Sequence, residues 1–175
     1  MACVAFLRGV NVGGHKAFQP SVLAKQMAAF DVVNVGAAGT FVVRKAISAA
    51  ALRKELLRQL PFEAEVMICR ARDLLELADG QSFGDAADAP EAKRFVSVLA
   101  RRPRTMPRLP LSQPAGDDWQ VKIVSACNCF VLSLYRRLGK RLIYPNEVVE
   151  KKLNVAATTR NWNTIATICE ILKGG

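Results

Sequence analysis

Two polar clusters, one near each end of the chain, combine residue types that could bind an anion. The first covers residues 8–16 and reads Arg-Gly-Val-Asn-Val-Gly-Gly-His-Lys, with the only histidine of the sequence at His15. Its glycines let the main chain approach a ligand closely, and its two cations would attract negative charge. The candidate ligand-binding residues here are Arg8, Asn11, Gly13, Gly14, His15 and Lys16.

The second cluster covers residues 158–164 and reads Thr-Thr-Arg-Asn-Trp-Asn-Thr. We predict that it opens a last helix over residues 160–172, where main-chain N–H groups have no partner inside the helix. Arg160 would oppose the helix dipole there, and Asn161 and Asn163 are poor helix formers. These three residues are therefore candidate ligands for a phosphate or carboxylate. The alternative is structural: Arg160 pairs with an internal carboxylate and the asparagines bond loop backbone.

We interpret the two clusters as one anion-friendly site drawn from distant parts of the sequence. Gly9 and Gly14 have the spacing of P-loop glycines, but His15 and Lys16 stand where that motif needs Lys and then Ser or Thr. The triphosphatase pattern therefore fails. No catalytic residues are assigned, because the carboxylates and the histidine give no sign of converging on one point.

The composition is that of a folded, strongly basic protein. Of the 175 residues, 51% are apolar and 23% charged, and the net charge is +10. Basic residues concentrate in residues 101–108, in residues 136–141 and at Lys151-Lys152. This pattern favours a phosphate-rich partner, with scattered solvated cations as the alternative.

The five cysteines have no disulfide-framework spacing, and Cys127-Asn128-Cys129 lacks the further ligands that zinc needs. We expect free thiols, no metal and no cofactor. We expect no secretory leader, because the first residues lack its charged start and long apolar run, and no membrane helix, because no stretch approaches roughly 20 apolar residues. The sequence therefore predicts a cytoplasmic protein.

The first half, residues 1–80, has the predicted order β-α-β-β-α-β of a ferredoxin-like plait. Helices are expected from Pro20, from Ser48 to the residue before Pro61, and over residues 73–78. The middle helix carries Leu52, Leu56 and Leu60 on one stripe. The predicted strands are residues 3–10, 32–37, 40–44 and 64–69.

Residues 81–91, rich in Gly, Ala and Asp, are the predicted linker. The second half, residues 92–175, is predicted as a degenerate copy of the first whose last elements are replaced by helix. Its prolines at 103, 107, 110 and 114 exclude a regular helix between its first two strands. The expected elements are strands 94–100, 119–125 and 129–136 and helices 146–153 and 160–172.

Three motifs resemble one known family: residues 7–14, Tyr144-Pro145-Asn146, and residues 157–164. They are similar to the signatures of the bacterial family called domain of unknown function 1697, and the similarity runs nearly end to end. The resemblance implies an α+β fold of two plait-like halves and no established activity. Its motif residues correspond to Arg8, Asn11, Gly13, Gly14, Arg160, Asn161 and Asn163. Ala38-Gly39-Thr40 departs from the family's Ser-Gly-Asn stretch, which implies weaker or different binding.

The leading hypothesis is a binding module for an anionic ligand, either nucleic acid or a phosphorylated small molecule. Plait folds that read RNA stack its bases on exposed aromatic side chains of the first and third strands. Here these strands contain only Phe6 and Phe41, so sequence-specific RNA recognition has little support. One alternative is an enzyme acting on a phosphorylated metabolite, with His15 moving a proton. The other is a subunit-interaction protein whose terminal motifs are structural.

Overall fold

The chain folds as an α+β protein with two antiparallel sheets, which confirms the predicted fold class at this level. The structure is a computed structural model that describes residues 1–11, 14, 17–80, 83–84 and 91–174. It divides into a first unit, residues 1–78 with 166–175, and a second unit, residues 79–165. The sequence instead predicts the boundary at residues 80/81 and places the last ten residues in the second half. Most of the predicted linker, residues 81–91, lies outside the described residues.

The first unit contains a four-stranded antiparallel sheet with the strand order β2-β3-β1-β4. The strands are β1 Cys3–Leu7, β2 Val32–Asn34, β3 Thr40–Val43 and β4 Val66–Arg70. The helices are α1 Pro20–Gln26, α2 Ala49–Gln59 and α3 Ala71–Asp79, with a short 3-10 helix at Ala28–Phe30. Cys3, Ala5 and Leu7 of β1 are buried in one core cluster with Leu52 and Leu56 of α2.

Local signals explain α2 fully. Ser48 precedes it and accepts a hydrogen bond from the Ala51 N–H at 3.1 Å, as a helix N-cap does. Leu52 and Leu56 are fully buried, so the predicted apolar stripe is the face turned to the core. The helix ends at Gln59, two residues before Pro61, which could not continue it.

The second unit contains a five-stranded antiparallel sheet with the order β6-β7-β8-β5-β9. The strands are β5 Lys93–Leu99, β6 Leu111–Gln113, β7 Val121–Cys127, β8 Phe130–Tyr135 and β9 Ala157–Asn161. The remaining helices are α4 Pro145–Leu153 and α5 Trp162–Lys173. Val148, Val149 and Leu153 of α4 share a buried cluster with Leu99, Val121, Ile123 and Val131 of the sheet.

The prediction that the last helix begins at Arg160 is wrong. Residues 157–161 form β9, which pairs antiparallel with β5 so that Arg160 lies opposite Val96. The two threonines of this segment are β-branched and favour a strand once a partner strand is present. The predicted replacement of the last strand by helix is therefore wrong as well, and α5 begins only at Trp162.

No helix in the described part of the chain is both long enough and apolar enough to cross a bilayer.

Candidate functional site

The N-terminal cluster begins where β1 ends, and its arginine pairs with the residue just before β4. Arg8 Nη1 lies 3.2 Å from Glu65 Oε2, and the two side chains are 39% and 57% exposed. The main-chain N–H of Arg8 also donates to the Glu65 carbonyl at 3.0 Å. A solvent-exposed pair of this kind contributes little to stability, about 0–1 kcal/mol. The Glu65 carboxylate nevertheless neutralises part of the positive charge of Arg8, which the sequence predicts as an anion ligand.

Asn11 uses both ends of its amide within the fold of the first unit. Its Nδ2 donates to the Ala37 carbonyl at 2.8 Å, and its Oδ1 accepts from the Phe18 N–H at 2.9 Å. The residue has a φ of 53°, a left-handed conformation that asparagine tolerates better than most residues. Asn11 therefore joins the loop after β1 to the β2–β3 hairpin and to the segment before α1.

Gly14 of the same loop has a φ of 77°, which explains the glycine by conformation alone. A Cβ added to Gly14 would meet no atom within 4 Å, so close packing is not the reason. The other candidates of this cluster, Gly13, His15 and Lys16, lie outside the described residues. Their role in ligand binding stays a prediction.

The β2–β3 hairpin, which contains Ala38-Gly39-Thr40, packs closely on residues at the end of the N-terminal strand and after it. Gly39 has a φ of 69°, and a Cβ there would lie 2.8 Å from both Leu7 Cβ and Val10 Cγ2. Thr40 is fully buried and pairs with Phe6 across β1 and β3. This stretch packs against residues 7–10, which is a structural role.

Arg160 lies within β9 and is 7% exposed. Its Nη1 donates to Thr158 Oγ1 at 2.8 Å and to the Thr159 carbonyl at 3.0 Å. Burial lowers the pKa of Arg160 to about 10, because desolvation disfavours the charged form. The prediction that this guanidinium stands in the first turn of a helix is wrong, because residues 157–161 form β9 and α5 begins after them.

The two asparagines that follow have different positions. Asn161 Oδ1 accepts from the Thr164 N–H and from Thr164 Oγ1, both at 2.9 Å, so it caps α5. Asn163 lies exposed in the first turn of α5. Trp162 between them is half-buried, and its ring packs edge-to-face on Phe83 at 5.2 Å. The N-terminal part of α5 is thus organised by contacts within the second unit.

Several arginines of the predicted basic clusters also have structural partners. Arg136 Nε donates to the Trp119 carbonyl at 2.6 Å, and its guanidinium carbon lies 4.2 Å from the centre of the Trp119 ring. Arg136 also donates to the Asp117 carbonyl. Arg101 donates to the Asn154 carbonyl at 3.2 Å and Arg102 to Asn128 Oδ1 at 3.0 Å. These side chains hold turns and helix ends in place.

Three other cationic side chains line a cleft of about 220 Å³ in the second unit. We call it the basic cleft, and its polar lining residues are Gln113, Arg141, Glu147, Lys151 and Lys152. Within the described part of the chain, the side chains of Arg141, Lys151 and Lys152 take part in no hydrogen bond or ion pair. The cleft therefore offers three solvated cations and one carboxylate at a single concave place.

Two elements bring these cations together. Arg141 comes from the irregular segment after β8, which is anchored where the Ile143 N–H donates to Gln120 Oε1 at 3.3 Å. Lys151 and Lys152 come from the last turn of α4, one turn after Glu147. Both basic clusters are visible in the sequence, but their convergence depends on how α4 packs on the sheet. Pro145 marks the start of α4 in the sequence.

No group of three His, Cys, Asp or Glu side chains close enough to hold a metal ion occurs among the described residues.

The family described as "Protein of unknown function (DUF1697)" matches residues 1–127. The chain belongs to this family. Its fold is similar to that of the conserved bacterial protein SP0830 from Streptococcus pneumoniae, with a TM-score of 0.60, 14% identity and 98% coverage of each chain. No curated protein matches the chain. The family and the similar structure therefore support the fold and supply no activity.

Proposed function

We propose that this protein is a binding module for an anionic ligand and that the basic cleft binds it. The observation that carries the proposal is the convergence of Arg141, Lys151 and Lys152 without partners among the described residues. An arginine can bind two oxygens of a phosphate or carboxylate at once, and two lysines add point charges beside it. The net charge of +10 would raise the local concentration of anions around the cleft.

In this proposal the terminal motifs are mainly structural. The amide of Asn11 is engaged at both ends, Asn161 caps a helix, and Arg160 bonds within its own strand. These contacts support the structural reading of the motifs and leave anion binding to side chains that face solvent. The undescribed residues His15 and Lys16 keep their predicted role as possible further ligands.

We also propose that each unit is a variant of the ferredoxin-like plait. In the first unit the four strands, numbered in chain order, stand as second-third-first-fourth. In the second unit the same order is found for β7, β8, β5 and β9, with β6 added at the edge. A cytoplasmic location is proposed as well, because all five cysteines are free thiols, as expected in a reducing compartment.

The test is calorimetric titration of the full chain with inorganic pyrophosphate at low and moderate salt. The cleft variant carries Arg141→Gln, Lys151→Gln and Lys152→Gln. The matched control removes the same charge elsewhere through Lys25→Gln, Arg104→Gln and Arg108→Gln. The cleft variant is expected to lose at least about tenfold in affinity, since hydrogen bonds to charged groups are the strong ones.

The control variant is expected to retain most of its pyrophosphate affinity. The proposal is wrong if the unmodified protein binds no pyrophosphate at low salt, or if both variants weaken binding equally. Equal weakening would mean that only the overall charge matters.

A further inference from the structure

The basic cleft has a small volume and is lined by three cationic side chains. Its volume of about 220 Å³ lies below the roughly 300–1,000 Å³ of pockets that hold drug-sized ligands. A nucleic-acid groove has a different design, because it follows the backbone and contacts many phosphates, often about 6–10. Three cations around one concavity match a single phosphate group better than a chain of phosphates.

The carboxylate of Glu147 places a second requirement on the ligand, which must also offer a hydrogen-bond donor. It lines the same cleft and comes from the first turn of α4. A ligand that carried only negative charge would be repelled by it, whereas a hydroxyl group could donate a hydrogen bond to its oxygens. The Gln113 side-chain amide, which both donates and accepts, also suits a hydroxylated ligand.

The rest of the lining limits the shape of the ligand. Leu142, Ile143 and Val148 supply the apolar contacts, and none of the eight described lining residues is aromatic. Proteins that bind single-stranded nucleic acid usually stack its bases on aromatic side chains. Aliphatic walls instead suit a short carbon skeleton without a ring to stack.

Taking the proposed function as its basis, the geometry points to a small phosphate monoester with an aliphatic, hydroxylated skeleton as the ligand of the basic cleft. The phosphate lies against Arg141, Lys151 and Lys152. The hydroxyl groups donate to Glu147, and the carbon chain contacts the aliphatic wall.

The experiment compares two ligands that differ only in hydroxyl groups. Glycerol 3-phosphate and propyl phosphate are titrated into the full-length protein, with inorganic phosphate and a single-stranded oligonucleotide as further probes. Glycerol 3-phosphate is expected to bind about tenfold more tightly than propyl phosphate, as one or two hydrogen bonds to a charged group would give.

The Glu147→Ala variant makes the test specific. It is expected to abolish the preference for glycerol 3-phosphate while leaving inorganic phosphate binding equal or stronger, because a like charge is removed. Asp118→Ala, which removes an exposed carboxylate that does not line the cleft, should leave the preference unchanged. Circular dichroism melting of each variant confirms that it is folded.

Different results overturn the proposed ligand class and the proposed anion binding. If inorganic phosphate binds at the cleft but the two esters bind equally, or the preference survives Glu147→Ala, the ligand class is wrong and anion binding stands. Tighter binding of the oligonucleotide than of glycerol 3-phosphate likewise overturns the ligand class. If none of the four probes binds at low salt, both proposals fail.

Discussion

The two units hold their arginines in different ways. In the first unit, several of the described arginines are paired with carboxylates, among them Arg8 with Glu65, Arg44 with Asp31, Arg58 with Glu55 and Arg70 with Asp73, while Arg53 donates to the Val66 carbonyl. In the second unit, Arg101, Arg102 and Arg136 donate to uncharged oxygens, and the cations of the basic cleft are solvated. A neutral partner fixes a side chain without cancelling its charge. Arg101, Arg102 and Arg136 of the second unit thus keep their positive charge while their side chains are held in place.

The connection from β1 to β2 in the first unit also differs from the connection from β5 to β7 in the second. In the first unit this connection contains α1, whose Leu23 is buried in the core. In the second unit the corresponding segment is rich in proline and arginine and forms only the short β6 before β7. Prolines remove the N–H donors that a helix would need there. The first connection thus adds a buried leucine to its core, whereas the second exposes Arg101, Arg102, Arg104 and Arg108 to solvent.

The largest effect is expected from a small change in the packing of the first unit. Gly39→Ala should lower the free energy of unfolding by at least about 2 kcal/mol, because it combines left-handed strain with a clash against Leu7 and Val10. Gly36→Ala is the matched control, since its φ of 68° is similar but nothing lies within 4 Å of its Cβ. Urea unfolding of both variants measures the difference. Equal losses would contradict the packing role of Gly39.

A smaller effect is expected at the start of α5. Asn161→Ala should lower the free energy of unfolding by about 1 kcal/mol, because the Thr164 N–H loses its acceptor. Asn161→Ser supplies another good capping side chain and should restore most of the loss. If both variants match the unmodified protein in thermal unfolding, Asn161 does not act as a cap. That result would favour the predicted role of Asn161 as an anion ligand.

The smallest expected effect is a pH dependence of stability that comes from an ion pair of the first unit, between Glu55 and Arg58. Hydrogen bonds from Arg58 and Gln59 lower the pKa of Glu55 to about 2. Since this pKa is depressed in the folded protein, the stabilisation is complete above the ordinary pKa of 4.5 and is lost as the pH falls toward 2. The difference in urea midpoint between the unmodified protein and Glu55→Gln should therefore shrink between pH 6 and pH 3. A difference that stays constant or grows on acidification would contradict this assignment.

Elements with complete local signals were predictable from the sequence. α2 is the clearest, because Ser48, a leucine stripe and Pro61 mark its start, its buried face and its end. The β7–β8 hairpin is similar, since Asn128 occupies the left-handed position of its turn with a φ of 55°. In both, the residues that decide the structure are neighbours in the chain.

Features that depend on distant partners were missed. Thr158 and Thr159 could cap a helix or join a strand, and their pairing with β5, about 60 positions earlier, decides for the strand. The basic cleft was missed for the same reason. The cations were noted as clusters, but the sequence does not say that Arg141 and the last turn of α4 line one cleft. Asn11 and Asn161 of the terminal clusters make contacts within the fold, and the predicted binding role of these clusters stays a prediction.

The most direct test of the account is to map an anion on the protein by nuclear magnetic resonance. Inorganic phosphate is titrated into the isotopically labelled full chain at low salt, and the backbone amide shifts are followed residue by residue. If the basic cleft binds anions, we expect saturable shifts that concentrate at Gln113 and in residues 141–152, with residues 158–164 nearly unchanged. Shifts centred on residues 8–16 or 158–164, with residues 141–152 silent, would contradict it.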